Sequence, residues 1–70
     1  MSTWPSSKAK RVLAALLRLG WRVKRQRGSH RTLERDGWDN VVFAWHDDVE
    51  IGPVALAQLA RQTGLRRGDL

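Results

Sequence analysis

The sequence predicts an α+β fold in the order α-β-β-β-α, a three-stranded antiparallel sheet with both helices on one face. Three observations carry this. Apolar residues recur at helical spacing near each end, and the stretch between the two stripes is alternating or β-branched. Turn signals at Gly28-Ser29 and Asp36-Gly37 divide that stretch into three strands. Strands joined by such short turns run antiparallel, and two amphipathic helices bury their stripes by covering one sheet face. The other face stays open.

Residues 1–5 read as a loose end, with Trp4-Pro5 holding the chain extended before a helix. Ser6 or Ser7 is placed to cap the first turn. Ala9, Val12, Leu13, Leu16 and Leu17 then form one helical stripe, and Gly20 stands where a left-handed residue ends the helix. Lys10, Arg11 and Arg18 fall off the stripe, as a solvated face would. Trp21–Arg27 is the first strand, His30–Arg35 the second and Val41–Trp45 the third. His46–Glu50 is an acidic loop. Gly52-Pro53 opens the second helix, whose inner stripe is Leu56, Leu59, Ala60 and Thr63. Gly64 ends it, and Leu65 is placed to pack back as in a Schellman stop.

Large apolar side chains belong under the helices, so Val23, Leu33, Val41 and Phe43 point inward. The expected core is Leu13, Leu16, Val23, Phe43, Leu56 and Leu59. Period two then sets Arg22, Lys24, His30, Thr32, Val42, Ala44 and His46 on the open side. Both histidines share that face, unless the third strand slips by one residue and separates them.

Seventy residues suffice for one domain, residues 1–70. The absence of cysteine excludes a disulfide scaffold, a thiolate zinc site and a cysteine nucleophile. No apolar run is long enough to span a bilayer and Met1–Ser7 has no signal-peptide core, which makes the cytoplasm the expected compartment. The net charge is +6 and unevenly spread. Residues 1–33 carry nine basic groups and no acid, whereas residues 34–50 carry six acids and one base. A basic half of this kind suits a polyanion, nucleic acid first, though it also serves solubility.

Gly28-Ser29-His30 is the segment that can carry chemistry. The glycine permits a tight turn, and the following strand fixes an imidazole, the side chain best suited to moving protons near neutral pH. Taken alone, a histidine beside a turn is more often a surface residue than a catalyst. RNA brings its own nucleophile, the 2′-OH, so an enzyme need only deprotonate it, align it and stabilise charge on phosphorus. His30 can take the proton. Lys24, Arg25, Arg27 and Arg31 can bind phosphate, and Ser29 adds a hydroxyl and a backbone N–H. This chemistry needs no metal and no small-molecule cofactor. The acids Asp47, Asp48 and Glu50 are the only carboxylate cluster, and read best as a loop ahead of a helix N-terminus. His46 either bonds a neighbouring carbonyl or supplies a second catalytic group. Trp21, Trp38 and Trp45 either stack bases or fill the core.

Leu19-Gly20-Trp21, Arg25-Gln26-Arg27-Gly28-Ser29-His30, Ile51-Gly52 and Leu59-Ala60-Arg61-Gln62-Thr63-Gly64-Leu65 together resemble the HicA (YcfA-like) toxins, from about Ser7 to Leu65. The resemblance implies the toxin of a type II toxin–antitoxin pair, an endoribonuclease that cleaves mRNA and is held by a HicB-type antitoxin. It also implies a fold like that of a double-stranded RNA-binding domain, and a catalytic role for His30. The chain departs from the family pattern at Ala44-Trp45-His46, which lacks a proline, and in its acidic Asp47-Asp48-Val49-Glu50 loop. Two other readings compete: a non-catalytic double-stranded RNA-binding module, and a structural partner whose basic face docks an acidic protein.

Overall fold

A computed structural model describes residues 4–70. The expected loose end lies outside the described residues at positions 1–3, but Trp4 is half-buried and packs against the core. The chain begins with a two-residue strand, β1 (Ser7–Lys8), which pairs antiparallel with β5 (Glu50–Ile51) as a ribbon separate from the main sheet. Neither strand was expected, because two residues are too few to show a period. The pairing corrects the capping assignment as well. Helix α1 (Ala9–Arg18) has Lys8 as its N-cap, with no side-chain cap. Its first N–H groups donate instead to backbone carbonyls of the acidic loop, Ala9 to Val49 at 2.8 Å and Lys10 to Asp47 at 3.2 Å.

The end of α1 is a Schellman motif. Gly20 takes φ 107°, its N–H reaches the Leu17 carbonyl, and the Trp21 N–H reaches the Leu16 carbonyl. Trp21 thereby turns inward and is buried, donating its indole N–H to the Thr63 carbonyl at 3.1 Å. Arg11 and Arg18, expected on a solvated face, hold the C-terminal segment down, donating to the carbonyls of Leu70 and Asp69.

The main sheet is β2 (Arg22–Arg27), β3 (His30–Glu34) and β4 (Val41–Phe43), antiparallel in that spatial order. The second and third strands stop short of the expected Arg35 and Trp45. Leu33, Val41 and Phe43 are buried beneath α1 and α2 (Pro53–Thr63), together with Val12, Leu16, Leu56 and Leu59. The order α-β-β-β-α and the single helix-covered face are as the sequence predicts.

Two expected core residues differ. Leu13 is only partly buried at the edge of the cluster, and Val23 is 42% exposed. Val23 pairs with Leu33 and so faces the same way, but it lies on an edge strand whose every residue is exposed. The helices cover β3 and β4 and do not reach it.

Helix α2 ends at Gly64, with φ 76° and its N–H on the Ala60 carbonyl. This is the simpler left-handed stop rather than the expected Schellman motif, because the Leu65 N–H goes to the Thr63 hydroxyl at 3.2 Å. Leu65 is buried all the same.

Candidate functional site

The site grows from the turn between β2 and β3. Gly28 has φ 60° and Ser29 a negative φ, the pattern of a two-residue II′ hairpin with glycine first. Arg27 and His30 flank the turn as a directly opposed pair. Going back along the ribbon, Gln26 opposes Arg31, Arg25 opposes Thr32, and the register then shifts before Val23 meets Leu33. Lys24 is the extra residue of that bulge. The bulge changes the phase of the strand. Since opposed residues share a face, Arg25, Arg27, His30, Thr32 and Val42 lie together on the open side. The sequence pattern had put Lys24 there in place of Arg25 and Arg27. Beyond Val23 the strand is polar throughout, so alternation carries no phase by which a bulge could be seen.

These five residues line a shallow hollow of about 250 Å³. No carboxylate lines it. Charge along β2 is sorted: Arg22, at the far end, is met by Asp36 at 3.3 Å and Glu34 at 3.9 Å, while Arg25 and Arg27 make no ion pair among the described residues. His30 is exposed and stands at the start of a strand, held by the ladder rather than by a mobile loop.

His46 is elsewhere. With Gln26, Gly28, Ser29, Arg31, Trp45, Asp47 and Asp48 it lines a second hollow of about 390 Å³. The expectation that both histidines share the open face is therefore corrected, because β4 ends at Phe43 and the chain turns away before His46. Arg31 belongs to this side too. It opposes Gln26 and Phe43, its side chain is only 17% exposed, and its Nη2 meets the Asp47 carboxylate at 3.4 Å. Its buried Nη1 has no hydrogen-bond partner among the described residues. Of the five residues expected to bind RNA, Arg25 and Arg27 lie beside His30. Ser29 and Arg31 line the neighbouring hollow, and Lys24 is exposed at the bulge.

A third hollow, of about 520 Å³, lies beside Trp38, Asn40 and Arg61 and contains neither histidine. Trp38 is 41% exposed; its ring makes an edge contact with Trp21 and carries the Arg35 guanidinium at 5.4 Å. Trp21 is core, and Trp45 is half-buried in edge contact with Phe43. Among the described residues no group of three or more histidines or carboxylates is arranged to hold a metal ion. Among the described residues no helix is long and apolar enough to cross a membrane.

A family model described as the HicA toxin of bacterial toxin–antitoxin matches residues 9–65. The chain belongs to the HicA toxin family. The match runs from the first residue of α1 to the buried Leu65 and so includes both helices, the whole sheet and the Gly28-Ser29-His30 turn. Membership makes the chain a toxin of a toxin–antitoxin pairing, with an antitoxin as its partner. No match was found among curated proteins or among solved structures.

Proposed function

We propose that this HicA-family toxin is a metal-independent endoribonuclease that cleaves mRNA, with His30 as the general base. The observation that carries the reading is the pairing of His30 with Arg27 on the open sheet face, in a hollow shared with Arg25 and Thr32 and lined by no carboxylate. Arginine forks bind phosphate oxygens through paired charge-assisted hydrogen bonds, and an acid-free lining keeps the hollow attractive to a polyanion. Neutral His30 takes the proton of a ribose 2′-OH. The 2′ oxygen attacks the adjacent phosphorus, the bond to the 5′ oxygen breaks, and that oxygen leaves with a proton from solvent. The products are a 2′,3′-cyclic phosphate and a 5′-hydroxyl. Arg25 and Arg27 stabilise the charge that builds on the phosphoryl oxygens. Lys24, exposed beside them, extends the cationic edge along which the strand approaches.

An antitoxin of the HicB type silences such a site by covering the open face and withdrawing His30 from RNA. The test is cleavage of a defined mRNA by the wild type and His30→Ala, with and without a chelator. The expected result is cleavage that survives chelation, yields a 5′-hydroxyl and disappears in folded His30→Ala. A strict divalent-metal requirement, or undiminished cleavage by the variant, overturns the mechanism. RNA binding without any cleavage by the wild type leaves a binding module instead.

A further inference from the structure

We infer that the hollow on the other side of the Gly28-Ser29 turn is a nucleobase subsite, and that it takes a guanine next to the scissile phosphate. The inference rests on the ribonuclease reading and adds a specificity to it.

The two hollows meet at the turn. Ser29 lines one, and His30, the next residue, lines the other. The tip between them is bare: a Cβ built on Gly28 meets nothing within 4 Å. A single RNA strand crossing the tip puts a phosphate beside His30, Arg25 and Arg27 and the neighbouring base beside Ser29 and Trp45.

The chemistry of the two linings differs. The open-face hollow has arginines and no acid, which suits a phosphate. The second has Asp47 and Asp48 together with Trp45, Gln26, Ser29 and His46, and its one arginine, Arg31, is turned to Asp47. Carboxylates repel phosphate and accept hydrogen bonds from base N–H groups. Trp45 is half-buried against Phe43, so it is fixed in place while part of its surface stays open to a base. Asp47 is engaged by Arg31. Asp48 is exposed and makes no hydrogen bond or ion pair among the described residues, which leaves its carboxylate free to accept. Guanine alone among the four bases sets two N–H donors side by side, at N1 and N2, to match one carboxylate. Its O6 then takes a hydrogen bond from the Ser29 hydroxyl, or from the second N–H of the Gln26 amide, whose other N–H goes to the Gly28 carbonyl at 3.2 Å. Single-stranded RNA is read in this way, by stacking on an aromatic and hydrogen bonds along the base edge. The site is built rather than mobile: the Arg31–Asp47 pair ties the loop to β3, and the loop carbonyls of Asp47 and Val49 are held by the first turn of α1.

The test uses the full chain carrying His30→Ala, titrated with each of the four nucleoside 5′-monophosphates while its backbone and indole N–H resonances are followed. GMP is expected to move the Trp45 indole and the amides of Ser29, His46 and Asp48, and to bind about tenfold more tightly than AMP, CMP or UMP, within the range of a good bidentate base contact. Asp48→Asn is expected to remove that preference. In parallel, wild type and Asp48→Asn are compared on an RNA pool randomised around the cleaved bond. A guanine preference beside that bond that is lost in the variant supports the subsite. Equal shifts for all four nucleotides, or shifts confined to Arg25, Arg27 and Thr32, overturn it. So does an unchanged cleavage preference in Asp48→Asn, which leaves the ribonuclease intact. Selective GMP binding with no RNA cleavage by the wild type removes the nuclease reading and keeps the subsite.

Discussion

The two ends of the sheet both turn on glycine, and they use it differently. At one end Gly20 and Gly64 stop the helices in left-handed conformations, and the Trp21 and Trp38 rings close over the junction. A Cβ on Gly64 would come within 2.8 Å of the Trp38 ring. At the other end Gly28 is equally left-handed with open space around it, and the turn presents His30 rather than burying anything. The motif pieces Leu19-Gly20-Trp21 and Gln62-Thr63-Gly64-Leu65 are thus packing devices, while Gly28-Ser29-His30 faces solvent. A segment that marks a family need not touch its substrate. What separates the two kinds is whether the next residue is swallowed by the core.

The two ends separate most clearly through one side chain each. His30→Ala is expected to lower cleavage by about 10²–10⁴-fold, the usual loss of a general base, with thermal stability unchanged because the residue is exposed. Trp21→Ala should do the reverse. It removes a fully buried ring and its hydrogen bond to Thr63, at a cost of about 3–5 kcal/mol, and any loss of activity should track the unfolded fraction. Denaturant titration beside single-turnover cleavage reads both. A His30→Ala protein destabilised as much as Trp21→Ala would erase the distinction between the two ends.

Glycine itself sharpens the contrast at a smaller scale. A positive φ costs a residue with a Cβ about 1–3 kcal/mol, according to the region it occupies. Gly28→Ala should cost no more than that, since nothing crowds the new methyl. Gly64→Ala should cost visibly more, because Trp38 must move as well. Equal melting temperatures for the two variants would mean that the Trp38 ring gives way freely.

How far the sequence showed this arrangement depends on the strength of each local pattern. The helices, their glycine stops and the three strands were legible because apolar stripes and turn residues have few other readings. His30 was legible because a glycine turn, a strand start and an imidazole coincide. The bulge at Lys24 was not, and with it went the identity of the two arginines beside His30: in Lys24-Arg25-Gln26-Arg27 every residue tolerates either face. The capping of α1 was misread because Ser7 is drawn into pairing with Ile51, and a loop forty residues away supplies the acceptors. The partnership of Arg31 with Asp47 is tertiary and has no trace in the spacing.

The smallest effect tests the sorting of charge along β2. Each phosphate contact contributes about one counterion to the salt dependence of RNA binding. Arg27→Gln should therefore weaken binding at low salt and make its salt dependence shallower by about one unit of slope. Arg22→Gln removes the same formal charge from the same strand, but Asp36 and Glu34 already balance that guanidinium. Its slope should barely move, and its stability should fall by no more than about 1 kcal/mol, the usual worth of exposed pairs. The paired variants are best compared in the His30→Ala background, so that the RNA survives the titration. Equal changes of slope at Arg22 and Arg27 would mean that RNA feels only the net charge of the strand, and the acid-free hollow would lose its claim to the phosphate.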